Sequence, residues 1–169
     1  MAKLKGLNEL NKAVSAEVKP FGITEAFCET EYSYYFDTEK IGFSLVEGEA
    51  DMIFNEFIED RFNYTVKNQF IISLLHEIGH HKANDDIDGE VYDFCIKEKE
   101  RISEAMAEAS TIAERRKLHF QYFNLPDEIM ATAWAVGYAK KHPKKIKKMW
   151  ENCEKALHKF YEVNEVTGD

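Results

Sequence analysis

The sequence predicts a mainly helical α+β fold in a single domain, with a small antiparallel or mixed sheet near the N-terminus. Three observations predict it. Apolar residues recur at helical spacing through most of the chain. One stretch, residues 23–47, replaces that spacing with aromatic and β-branched runs. Only 3 prolines occur in 169 residues, and each stands where the pattern changes. That length suffices for a hydrophobic core without disulfide or metal staples.

Taken in order, Leu4, Leu7, Leu10, Val14 and Val18 predict a first helix over 2–19, stopped by Pro20 and Gly22. Phe27, Tyr32, Tyr34, Tyr35 and Phe36, then Ile41, Phe43 and Leu45 across an Asp37–Lys40 turn, predict about three strands. Met52, Ile53, Phe57, Ile58 and Phe62 return to helical spacing over 49–62. Thr65 is the expected cap of a helix over 66–83, and Asn84, Asp85, Asp86, Asp88 and Gly89 mark a loop. One long charged helix is expected from Glu90 to Phe123, ended by Asn124-Leu125-Pro126. The next begins there, with Asp127 and Glu128 at its positive end. His142-Pro143 breaks the pattern, and a last helix runs to about Val163. Within the one domain, 1–64 hold the first helix, sheet and second helix, 65–142 the metal-site helices, and 143–169 the C-terminal helix.

The formal net charge of −9 argues against wholesale binding to nucleic-acid phosphates or an anionic membrane, because the long-range field repels both. The lysine block at 140, 141, 144, 145, 147 and 148 reads as the solvated end of one helix and start of the next. Cys28, Cys95 and Cys153 are odd in number and share no spacing, which suits a reducing compartment. No signal-like apolar run opens the chain and no stretch approaches the roughly 20 apolar residues of a membrane span. A soluble, cytoplasmic protein is expected.

Chemistry concentrates in His76-Glu77-Ile78-Gly79-His80, an HExxH motif inside a predicted helix. Residues four apart lie one turn apart on nearly the same face, so His76 and His80 can converge on one ion. Imidazole nitrogens suit Zn²⁺, and a catalytic zinc keeps three protein ligands and an open position for water. Glu77 is then placed to take that water's proton. Phe70, Ile71, Ile72, Leu74, Leu75 and Ile78 make the helix a buried one, where unpartnered imidazoles and a carboxylate would cost several kcal/mol.

The third ligand must come from elsewhere. Asp86 stands at the position used in one zincin subgroup (HExxHxxGxx followed by His or Asp), but Ala83 replaces the glycine which that pattern needs. Glu104 and Glu108 lie on the long charged helix, on a face shared with Arg115 that reads as solvated. Cys28 and Cys95 have no ligand spacing. Glu128 has the strongest neighbourhood, because Ala131, Thr132, Ala135 and Ala139 follow along its face and let its helix approach that of His76. Asp127 is the residue most easily confused with it.

HEIGH followed by Glu128-Ile-Met-Ala131-Thr132-Ala-Trp134-Ala135 resembles the ImmA/IrrE-type zinc metallopeptidases, whose pattern is HExxH and then a helix of the form ExxA(N)xxFA. Leu125-Pro126 before the glutamate resembles the family's phage and mobile-element members. The resemblance spans roughly residues 65–140. It implies a minimal gluzincin-like fold, zinc on His76, His80 and Glu128, and hydrolysis of peptide bonds in a protein substrate, often a repressor or regulator. Thr132 and Trp134 depart from the usual Asn and Phe, and about 47 residues separate His80 from Glu128.

On this reading Glu77 is the general base of an endopeptidase, and an oxyanion donor is expected from Tyr92, His119, Tyr138 or His142. The strand near 41–46 is expected to hold an extended peptide by edge pairing. His81, about 100° round the helix from His80, is expected outside the ligand set, and His119 and His158 in solvent. The alternative is a zinc-containing binding module that acts on a protein partner by occupancy; the intact Glu77 favours the enzyme.

Overall fold

The computed structural model of the protein describes residues 4–165. Among them are seven α-helices: α1 (Leu7–Val18), α2 (Glu49–Phe62), α3 (Gln69–Ala83), α4 (Gly89–Glu108), α5 (Ile112–Phe123), α6 (Pro126–Lys141) and α7 (Pro143–Glu165). The strands β1 (Glu25–Glu29), β2 (Ser33–Tyr35) and β3 (Lys40–Ser44) form one mixed sheet. The mainly helical α+β class therefore matches expectation. The chain divides into two compact units, one comprising the stretch up to Leu45 and that from Ala139 onward, the other Val46–Tyr138.

In the first unit, α1 starts later than predicted, at Leu7, after Gly6 in a left-handed conformation (φ 76°) that a side chain would strain. Leu4 lies outside the helix and is exposed. Leu10, Val14 and Val18, at i, i+4 and i+8, are buried, and α1 packs on β1 and α7. The strand order is β1-β3-β2, with β1 parallel and β2 antiparallel to β3.

This order overturns edge pairing at 41–46, because β3 is the central strand with a neighbour on each side. The outer edge of β1 is also engaged. Ser15 Oγ accepts from Ala26 N at 2.8 Å and donates to Ala26 O at 3.1 Å, and Asn11 Oδ1 accepts from Cys28 N at 3.1 Å. Two side chains of α1 thus satisfy backbone groups that an added strand would need.

In the second unit, α2 buries Ile53, Phe54, Phe57 and Ile58, while Met52 is exposed. Helix α3 begins at Gln69 rather than 66, because Asn68 is the cap: its Oδ1 accepts from Ile71 N at 2.9 Å. Residues 71–79 are all buried, so α3 is the central helix of its unit.

The long helix expected over 90–123 is two helices. Ala109 leaves helical geometry (ψ 122°), and Thr111 opens α5 with a reciprocal capping box. Thr111 Oγ1 accepts from Glu114 N at 3.2 Å, and Glu114 Oε2 accepts from Thr111 N at 3.0 Å. The chain then turns back and α5 packs against both α4 and α2. Phe123 rests on Phe54 and Phe57, while Arg115 and Arg116 pair with Glu49 (2.9 Å) and Glu56 (2.5 Å). Arg115 therefore faces α2 and not Glu104 or Glu108. Helix α6 starts with Pro126, whose missing N–H costs nothing at a first helical position.

Candidate metal centre

Helices α3 and α6 approach closely enough that Gly79 has the Ala131 backbone where its Cβ would be. On the α6 side Ala131, Thr132 and Ala135 are buried, as their small size suggests. This approach brings His76 and Glu128 together, both buried, with His80 half-buried beside them.

The three lie close enough to hold a metal ion. His76 Nε2 is 3.0 Å from Glu128 Oε2 and 3.1 Å from His80 Nε2, and His80 Nε2 is 3.4 Å from Glu128 Oε1. Ligand atoms about 2.0–2.1 Å from a tetrahedral zinc stand roughly 3.3 Å apart; the separations of His76 Nε2 from Glu128 Oε2 and from His80 Nε2 are close to that, and each of the three residues offers an atom within 4.8 Å of the others. The donor set fits as well. Thr132 Oγ1 lies 3.1 Å from His76 Nδ1, so in the tautomer protonated at Nδ1 that proton goes to Thr132 and the Nε2 lone pair is left for an ion. Lone pairs that converge in a buried space are what a cation satisfies. Phe54, edge-on to the His76 ring at 5.0 Å, supports its orientation.

Valine in place of Thr132 keeps the shape and removes this second hydrogen bond. Metal affinity is expected to fall about 10- to 100-fold, read by chelator competition, with little change in helical content.

Glu77 is buried next to this triangle, close enough to His76, Glu128 and Lys99 to feel each charge. Its carboxyl is raised to about 7, chiefly by burial, with Glu128 adding to the rise and His76 and Lys99 opposing it. Burial also opposes ionisation of Glu128, but His80 and His76 hold it well below the usual carboxylate range. A carboxylate ligand and a carboxyl able to exchange protons near neutrality thus stand side by side.

The structure separates the competing ligands. Asp86, in a 3-10 turn after α3, and Glu104 and Glu108 on α4 are exposed and outside the triangle. Asp127 is buried but turned to Lys99. His81 is half-buried and not among the converging atoms. His158 is exposed, whereas His119 is half-buried and stacks on Phe123, so its expected solvation is corrected. Burial and Arg115 lower the imidazole's pKa, while Glu49 raises it; the net shift is downward. Of the four expected oxyanion donors, Tyr92 is exposed and Tyr138 stacks on Trp134.

Two residues at the site escaped the sequence reading. Lys99 Nζ contacts Glu128 Oε1 at 2.5 Å and pairs with Asp127, and it lies 5.3 Å from the centre of the Tyr122 ring. Burial works against the ammonium, but Glu128, Tyr122 and Asp127 raise its pKa well above the ordinary lysine value. Tyr122 is itself raised, by burial and then by Glu128. A signal for Lys99 was present. Cys95, Ile102 and Met106 form the packed stripe of α4 at i, i+7 and i+11, and Lys99 is the charged member at i+4. Comparison of the chain with family models, curated proteins and solved structures finds no match.

Proposed function

We propose that the protein is a zinc-dependent metallopeptidase, an endopeptidase that hydrolyses peptide bonds in a protein substrate, with Glu77 as general base. The observation that carries this reading is the His76–His80–Glu128 triangle with the buried Glu77 beside it. Zinc is favoured by a donor set of two imidazoles and one carboxylate, and it supplies Lewis acidity toward a water and a peptide carbonyl when bound.

The chain's own residues do the rest. Glu77 accepts a proton from the attacking water as the new C–O bond forms. It then delivers that proton to the amine nitrogen as the C–N bond breaks, which returns it to the carboxylate. The resemblance to ImmA/IrrE-type peptidases in the glutamate-led helix supports the same class, and with it a repressor or regulator as substrate, while the three free cysteines suit a cytoplasmic setting. Among the described residues no helix is long and apolar enough to cross a membrane.

Glu77→Gln tests the reading. Against a quenched-fluorescent peptide library, cleavage by the zinc-loaded protein is expected to fall about 10²- to 10⁴-fold, while zinc per chain stays constant. Cleavage that survives the substitution would remove Glu77 from the mechanism. A wild-type protein that holds zinc and cleaves nothing would favour a partner-binding module acting by occupancy.

A further inference from the structure

Lys99 belongs to no part of the mechanism above, yet it touches the carboxylate on which the metal reading depends. Its side chain is only 20% exposed, and its ammonium meets two acids that are adjacent in sequence, Asp127 and Glu128. The two oxygens of Glu128 are used differently. Oε2 lies 3.0 Å from His76 Nε2, whereas Oε1 is 2.5 Å from Lys99 Nζ and 3.4 Å from His80 Nε2.

We infer that Lys99 is a positioning residue, which holds Glu128 by Oε1 so that the carboxylate offers Oε2 to the metal as a single ligand atom. This rests on the metal-site reading. A carboxylate with both oxygens free can chelate an ion and fill two positions; one with an oxygen tied to an ammonium fills one. One ligand atom from Glu128 and two from histidine leave the fourth position of a tetrahedral ion for water and substrate.

A lysine so near a dication would repel it, but Asp127 answers that charge. Lys99 and Asp127 form a pair of no net charge, so the ammonium can donate to Glu128 without adding net charge beside the ion. The Tyr122 ring beside Nζ bounds the ammonium on another side. Lysine, anchored in this way, directs which oxygen of Glu128 is used.

Cobalt substitution of the full chain tests this, because the ligand-field bands of Co²⁺ are intense in four-coordinate sites and weaker in five-coordinate ones. Lys99→Met keeps the length of the side chain and removes its charge. The double variant Lys99→Met/Asp127→Asn also avoids leaving a buried acid unpaired. Both are expected to lose roughly two- to threefold in visible molar absorptivity against wild type, and Lys99→Arg to restore it. If Lys99→Met does not fold, the double variant decides. A folded double variant with the wild-type cobalt spectrum would reduce Lys99 to a structural ion pair and overturn the inference. Wild-type protein that takes up no cobalt or zinc would instead overturn the metal reading, and the inference with it.

Discussion

Alanine in place of Glu128 is expected to strip the protein of most of its metal. Structural zinc sites bind with about 10–16 kcal/mol shared among four ligands, so one ligand is worth roughly 2.5–4 kcal/mol, or about 70- to 900-fold in affinity. Elemental analysis after dialysis against a weak chelator reads this directly: about one zinc per chain in the wild type and little in the variant. Asp86→Ala and Glu104→Ala should match the wild type, since both side chains are exposed and outside the triangle. Thermal unfolding adds an independent reading. A ligand present at 100 times its Kd stabilises the folded state by about 2.7 kcal/mol, so added zinc should raise the wild-type midpoint and leave that of Glu128→Ala nearly unmoved. Metal retained by Glu128→Ala would dismiss Glu128 as the third ligand.

The second large effect is expected at Gly79, the residue between Ile78 and His80 that the motif itself leaves unspecified. A Cβ there would lie 2.3 Å from the carbonyl oxygen of Ala131 and 2.8 Å from its carbon. Both are backbone atoms, so no side chain can swing aside, and α3 and α6 must move apart. Gly79→Ala is expected to destabilise the protein by about 3 kcal/mol, the upper end of ordinary overpacking. Because α3 carries both histidines and α6 carries Glu128 and Thr132, the same movement opens the ligand triangle, and metal affinity should fall in parallel. Gly137 provides the contrast. Nothing lies within 4 Å of its Cβ position on α6, so Gly137→Ala should stabilise by roughly 0.5–1 kcal/mol through the lower chain entropy of alanine. Urea unfolding of the two variants checks opposite signs for the same substitution.

Much of the site was legible because its information is local. The spacing of His76, Glu77 and His80 within one turn, and the small residues behind Glu128, are statements about single helices, and a helix projects its own residues predictably. What failed depended on where one element meets another. The strand order places β3 between two neighbours while α1 side chains engage β1, and alternation along a strand does not encode its neighbours. Asn68 and Thr65 are both acceptable caps by type, and only the observed bond to Ile71 N decides between them. The missed break at 109–111 did have a local sign in Thr111-x-x-Glu114, outweighed in the reading by the helix-forming charged residues on both sides. Lys99 was hidden for the same reason, as one lysine among many until its stripe is known to be the packed one.

That break has a consequence for how the ligands come together in folding. In an unbroken helix from Glu90 to Phe123, Lys99 and Tyr122 would stand about 35 Å apart at 1.5 Å per residue, whereas the turn sets the ammonium 5.3 Å from the ring. Helices α4 and α5 are consecutive and pack against each other, so the segment between the second histidine and Glu128 is folded on itself. His80 and Glu128 are then joined across a loop already shortened by its own structure. If the effective loop is a quarter of the full 47 residues, closing it costs about 1.2 kcal/mol less in chain entropy. The long segment between the second histidine and the glutamate is thus a small obstacle to assembling the centre, and as a folded hairpin it delivers Lys99 to the Glu128 carboxylate.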